Sequence, residues 1–93
     1  MTIEEIKALF NADKNDEAIQ AVDKLTQQSG VTRATLAEAY YVRGNAYRRC
    51  GNVRMALNSY LEAIELDPDG PAQRAYNMVQ QNLAFYDHDL YNP

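Results

Sequence analysis

Apolar residues recur every three or four positions along most of the chain, and short polar turns interrupt the pattern four times. Ile3, Ile6, Leu9 and Phe10 share one helical face, and Ala18, Ile19, Val22 and Leu25 share the next. Nowhere do β-branched residues alternate with polar ones, so the pattern predicts an all-α chain of about five helices and no strand.

Punctuation sets the expected boundaries. Thr2-Ile3-Glu4-Glu5 is a capping-box pattern, in which hydroxyl and carboxylate satisfy each other's unpaired backbone amides, and it predicts a first helix to about Ala12. Asp13-Lys14-Asn15-Asp16 offers a choice of N-caps for the second helix, and Ser29-Gly30 is read as its end, because glycine adopts the left-handed backbone that closes a helix. Thr32, or Thr35 with Glu38, caps a third helix running from about Ala34 to Cys50. Gly51-Asn52 turns the chain into a fourth helix, which Asp67-Pro68 ends, because proline disfavours helical geometry in the residue before it. Asp69-Gly70-Pro71 opens a fifth, with Pro71 at its first position and Ala72, Ala75, Tyr76, Val79 and Leu83 on one stripe. It is expected to fade at residue 86 into an aperiodic tail, 87–93. Turns this short imply antiparallel helical hairpins within one domain, 1–93.

Composition narrows the function. An apolar share of 46% with 24% charged residues belongs to a folded chain, and 93 residues make one small domain with a limited core. No stretch approaches the roughly 18 apolar residues of a membrane span, and MTIEEIKALF lacks the basic-then-apolar order of a secretion signal, so a cytoplasmic location is expected. The net charge of −4 disfavours nucleic acid and anionic membrane as partners. That charge is uneven: between Val31 and Leu61, Arg33, Arg43, Arg48, Arg49 and Arg54 face Glu38 alone, a basic island in an acidic chain.

Candidate chemistry is sparse. Cys50 has no second cysteine to pair with and only His88 to join it, so no disulfide, zinc site or cofactor is expected, and Cys50 is read as a helix-packing thiol. Ser29, Ser59, Cys50 and His88 form no recognisable nucleophile-and-base constellation, and His88, between Asp87 and Asp89, reads as a solvated tail residue. No catalytic residue is assigned and no enzymatic activity is expected.

One set of spacings is more specific. Tyr40-x-x-Arg43-Gly44-x-x-Tyr47, followed by Ala56-x-x-x-Tyr60, Ala63 and Pro68, resembles the tetratricopeptide repeat. Tyr40, Gly44 and Tyr47 lie on one stripe, and Gly44, Ala56 and Ala63 keep facing helices close. Arg43 departs from the family, which usually has leucine there. Ala18 aligns with Ala56 at an interval of 38 instead of the family's ~34, with Ile6 in place of the contact glycine and Leu9 in place of the tyrosine. The chain thus reads as an α-solenoid: a degenerate hairpin over 2–29, an intact repeat over 34–68 and a capping helix over 71–86. Counted on by ~34, Met78 stands at the Gly44 position, so the fifth helix lacks the small residue that would receive a partner. The whole chain also resembles small free-standing bacterial proteins of this family, through Ala39-Tyr40-Tyr41-x-x-Gly44-Asn45-Ala46-Tyr47-Arg48, Ala63-Ile64-Glu65-Leu66-Asp67-Pro68-Asp69 and Phe85-Tyr86-x-x-Asp89-Leu90-Tyr91-Asn92-Pro93.

The resemblance implies a protein-interaction module. In this family the first helices of successive hairpins line a concave peptide groove. The matching positions are Glu38, Tyr41, Asn45, Arg48 and Arg49, with Lys7 and Asn11 from the first helix and Tyr76, Asn77 and Gln80 from the fifth. The arginines imply an acidic peptide or protein segment as partner, because a guanidinium grips a carboxylate in a two-pronged fork. The family's carboxylate clamp matches only at Asn45 and is not carried over. The alternative is a structural, weakly homo-oligomerising protein that buries Phe10, Phe85 or Tyr86 against a second copy.

Overall fold

The computed structural model describes the backbone of residues 1–91 and the side chains of residues 1–82. Five helices follow one another: α1 (Ile3–Asn11), α2 (Asn15–Leu25), α3 (Arg33–Arg49), α4 (Val53–Leu66) and α5 (Ala72–Tyr91). Each stacks on its predecessor, and α1 also reaches α3, so α3 is the central rod, with α1–α2 on one side and α4–α5 on the other.

Local chemistry accounts for most of the boundaries. The capping box at Thr2 and Glu5 forms in full, Thr32 Oγ1 accepts from the Thr35 amide, and Asn52 Oδ1 accepts from the Met55 amide. Four boundaries differ from the sequence expectation, three of them at turns. Helix α2 stops at Leu25, and the left-handed Gly30 (φ 80°) closes the loop beyond it, so glycine turns the connection and does not end the helix. Of the choices before α2, Lys14 takes the N-cap place without a side-chain bond, while Asp13 adopts φ 65° to make the corner. Pro71 sits just before α5, its carbonyl accepting a hydrogen bond from the Ala75 amide.

Helix α5 continues to Tyr91, past the expected end at residue 86. Loss of apolar periodicity removes packing but not helix propensity, and no glycine or proline interrupts the segment before Pro93. The inward placement of Leu83, the self-association roles of Phe85 and Tyr86, the solvated His88 and the Asn92-Pro93 ending all lie outside the described side chains. Among the described residues there is no strand, no group of residues able to hold a metal ion, and no helix long and apolar enough to cross a membrane.

Two apolar clusters meet at Tyr40. One joins Ile3, Ile6, Val22, Leu25, Ala39 and Val42; the other joins Ala56, Tyr60, Ala63, Ala72, Ala75 and Val79. Gly44 governs the second. A methyl group built on its Cα would lie 2.5 Å from Cε1 of Tyr60, so only glycine admits the ring, which is completely buried there. In the first hairpin the aligned Ile6 fills the corresponding space with its own side chain and is equally buried.

The buried stripe fixes the register of α5. Ala39, Val42 and Ala46 are buried on α3, and thirty-three residues later Ala72, Ala75 and Val79 are buried on α5. The interval is one shorter than the ~34 used to align the sequence. A one-residue shift rotates every α5 side chain by about 100°, which changes the face to which each belongs.

Candidate functional site

Parallel helices α3 and α5 flank a groove of about 480 Å³ that is floored by Ala63 of α4 and edged by Lys7 of α1. Ala34, Thr35, Ala37, Glu38, Tyr41 and Val42 form the α3 wall, and Asp67, Gly70, Pro71 and Ala72 form the opposite end. Small residues leave the space open, and polar groups ring it.

Of the expected groove residues, Glu38 and Tyr41 line this space together with Lys7. The Lys7 ammonium lies 2.8 Å from Glu38, and hydrogen bonding to that carboxylate is the main cause of its raised pKa. Asn45 and Arg48 continue the same α3 face beyond Tyr41. The Tyr60 hydroxyl donates to Asn45 Oδ1, and the Arg48 guanidinium meets Met78 Sδ of α5 at 4.0 Å. Tyr41 and Tyr60 pack with ring centroids 6.0 Å apart, tilted by 40°, so the groove wall is braced from inside.

Arg49 is not a groove residue. Its Nη1 donates to the Phe10 carbonyl at 2.7 Å, to Asn15 Oδ1 at 3.2 Å and to Asp13 Oδ1 at 3.3 Å, and its guanidinium carbon lies 3.7 Å above the Phe10 ring. It therefore ties the end of α3 to the α1–α2 corner, and it covers one of the rings expected to support self-association.

On α5, Tyr76, Asn77 and Gln80 are absent from the groove lining. Tyr76 packs on the α4 side, in the cluster around Tyr60, and accepts a hydrogen bond from Gln80 Nε2 at 2.7 Å. Asn77 accepts from Gln73 Nε2 at 3.1 Å, beside a separate shallow depression. With the interval of thirty-three, Asn77 corresponds to Gly44 and Tyr76 to Arg43, so these residues occupy the face that a following helix would cover. Side-chain pairs there, Gln73 with Asn77 and Gln80 with Tyr76, give that face a polar surface. The residues that face α3 from this side are Pro71, which lines the groove just before α5, and Met78, which meets Arg48. The apolar stripe Ala72, Ala75 and Val79, visible in the sequence, carries the register that would have found them.

The basic island is largely consumed internally. Arg33 donates to the carbonyls of Glu65 and Leu66 and caps the C-terminus of α4. Arg43 donates to Ser59 Oγ and Asp23 at 2.9 Å each and to Glu62 at 3.2 Å, while its guanidinium stacks 4.8 Å from the Tyr40 ring centre. The family's usual leucine is thus replaced by a guanidinium that joins α2, α3 and α4. Of the two arginines proposed for ligand binding, Arg48 alone stands on the groove side. Cys50, the C-cap residue of α3, is exposed, contrary to the expectation of a helix-packing thiol.

Residues 37–69 match the family model described as tetratricopeptide repeat. The chain is 36% identical over 61 residues to the peptidyl-prolyl cis-trans isomerase CYP7 of Saccharomyces cerevisiae and 36% identical over 85 residues to the cell division cycle protein 27 homolog of Caenorhabditis elegans. These stretches take in 66% and 91% of this chain but span only 16% and 10% of those proteins. Similarity to the human protein O-mannosyl-transferase TMTC1, 31% identical over 74 residues and 78% of this chain, spans 8% of that protein. The solution NMR structure of the Bacteroides fragilis protein BF1650 superposes with a TM-score of 0.82 at 43% identity, covering 97% of this chain and 88% of that one. Taken with the close α3–α4 hairpin and the 33-residue interval of its buried stripes, these likenesses show that the chain belongs to the tetratricopeptide repeat family.

Proposed function

We propose that this chain is an interaction module that holds an extended peptide or protein segment in the groove between α3 and α5. The observation that carries this reading is the 480 Å³ groove, whose walls bear Tyr41, Thr35, Glu38 and Lys7 over a floor of small residues. An aromatic face beside small apolar side chains suits a peptide side chain, and the surrounding polar groups suit its main chain. The family's fold is typically non-catalytic, and the isomerase and transferase names belong to proteins of which this chain spans 16% and 8%. The acidic character first expected of the ligand rests on Arg48, since Arg33, Arg43 and Arg49 serve the fold.

The test is selection of short peptides from a random displayed library, followed by affinity measurements on the purified protein and two variants. Tyr41→Ala removes the aromatic wall and Ala34→Trp fills the groove mouth; each is expected to weaken a selected peptide by about tenfold or more. Equal affinity in all three proteins would exclude the groove. Self-association is the competing reading, and a constant monomer mass in sedimentation up to high micromolar protein would remove it.

A further inference from the structure

The outer face of α4 carries its charges in an order that works against its own helix. A cation, Arg54, stands in the first turn and an anion, Glu65, in the last, with no acidic residue in the first turn and no basic one in the last. A helix start is partially positive and a helix end partially negative, so both charges oppose the helix dipole. Asn58 and Leu61 lie between them, and the spacing puts Arg54, Asn58, Leu61 and Glu65 on one stripe about 60° wide. All are exposed, and Leu61, near the middle, is 46% exposed. Half-buried Leu57 and Ile64 border the stripe on the side of α5, where Tyr76 joins them against the second apolar cluster. Arg54 and Glu65 are separated by about 16 Å along the helix, too far to meet within one chain. Among the described residues neither side chain joins an ion pair, and Arg33 takes the carbonyl of Glu65, not its carboxylate.

We propose that this face is a contact between two copies of the chain, paired antiparallel along α4 about a two-fold axis that crosses the helix between Asn58 and Leu61. The stripe is self-complementary. The axis sets Arg54 of each copy against Glu65 of the partner subunit and brings the two Leu61 side chains to about 4.5 Å from each other along the helix direction. Each helix start then gains the anion, and each helix end the cation, that its own sequence withholds. Leu61 and Ala63 point to opposite sides of α4, and Ala63 floors the groove, so a seated copy leaves the groove open and the pairing does not rest on the peptide reading. A contact along one 14-residue helix falls short of the ~1,200 Å² buried in a stable interface, so the dimer is weak and depends on concentration.

The test is the mass of the full chain by sedimentation equilibrium from about 10 µM to about 1 mM, in low salt, where exposed ion pairs are least screened. The mass is expected to rise from monomer towards dimer. Leu61→Lys sets two cations side by side at the axis and is expected to hold the chain monomeric throughout. Arg54→Glu and Glu65→Arg each turn two attractions into two repulsions and are expected to weaken the dimer by about fivefold or more. The double reversal, Arg54→Glu with Glu65→Arg, rebuilds both pairs and is expected to return to within about twofold of the parent. Tyr41→Ala, which alters the groove wall, is expected to dimerise as the parent does. Circular dichroism matching the parent checks that each variant is folded.

A monomer mass over the whole range in the parent would overturn the pairing. Folded single reversals that associate as well as the parent would overturn it too, as would a double reversal no better than the single ones. Association that Tyr41→Ala abolishes and the reversals leave intact would move the contact to the groove and overturn the α4 pairing.

Discussion

The two joints that flank α3 are built on opposite principles. Inside the second hairpin, α3 and α4 meet through what their residues lack: Gly44, Ala56 and Ala63 leave room for one buried tyrosine. Between the first and second hairpins, the buried contact of Ile6, Val22 and Leu25 with Ala39 and Val42 is extended outward by long side chains, with Arg43 reaching Asp23 and Arg49 reaching the Phe10 carbonyl and Asp13. Close packing tolerates neither insertion nor deletion of atoms, whereas partly solvated arginine joints can yield and be rehydrated. One family fold thus contains a stiff seam and a softer one.

The strongest way to break this contrast uses aligned positions. Ile6→Ala empties a filled slot in the first hairpin and is expected to cost about 2–5 kcal/mol by urea unfolding. Gly44→Ala fills an empty slot in the second and is expected to cost about 1–3 kcal/mol, because the new methyl group would overlap Tyr60. If Gly44→Ala were neutral, the seam would not be governed by that missing side chain.

At the softer joint, Arg43→Ala is expected to cost about 1–3 kcal/mol, since it leaves a gap beside Tyr40 and removes one partner of the buried Ser59. Ser59 also donates to the Met55 carbonyl, which limits the loss. Arg43→Leu, the family's usual residue, should fall within about 1 kcal/mol of the parent in thermal melts, because apolar replacement of a partly buried ion network is often neutral. A large loss with leucine would show that the ion pairs, and not the volume, hold the hairpins in register.

Alkaline pH separates the seams by chemistry. Burial raises the pKa of Tyr60 above the ordinary tyrosine value of 10, and the nearby Arg48 charge offsets this only in part. The folded state therefore favours the neutral phenol. That contribution is fully present below the unfolded pKa of about 10 and is lost as pH rises through the folded value. Melting temperature should hold up to about pH 10 and then fall, and Tyr60→Phe should flatten the fall. An equally steep decline in Tyr60→Phe would assign the effect to another group, such as Tyr40, whose pKa burial also raises.

The smallest effect is expected at Arg49→Ala, about 1 kcal/mol or less, because its side chain is 39% exposed and its partner Asp13 is 77% exposed. Hydrogen exchange should still register the change as faster exchange in α1. No change there would mean that the Phe10–Arg49 stack has no part in holding the first hairpin.

The legible parts of the molecule follow local rules. The capping box at Thr2, the cap at Asn52 and the stop before Pro68 are decided by backbone chemistry within four residues, and each is in place. Gly44 with Tyr60 was legible as well, since small and aromatic residues at fixed spacings permit few arrangements. Tyr76, Asn77 and Gln80 are groove residues only by the family resemblance, and the buried stripe of Ala72, Ala75 and Val79 turns them to other faces of α5. Arg49 reads as a groove residue in the sequence because no local rule reveals a carbonyl at the end of α1.

By itself the sequence determined the helices, their order, the close α3–α4 hairpin and the family, because these depend on periodicity, capping and short-range sterics. Only the tertiary structure decided which arginines serve the fold and which face of α5 packs on α4. Those choices depend on partners twenty to forty residues away, and on a rotation of about 100° for each residue of register, to which a linear pattern is blind.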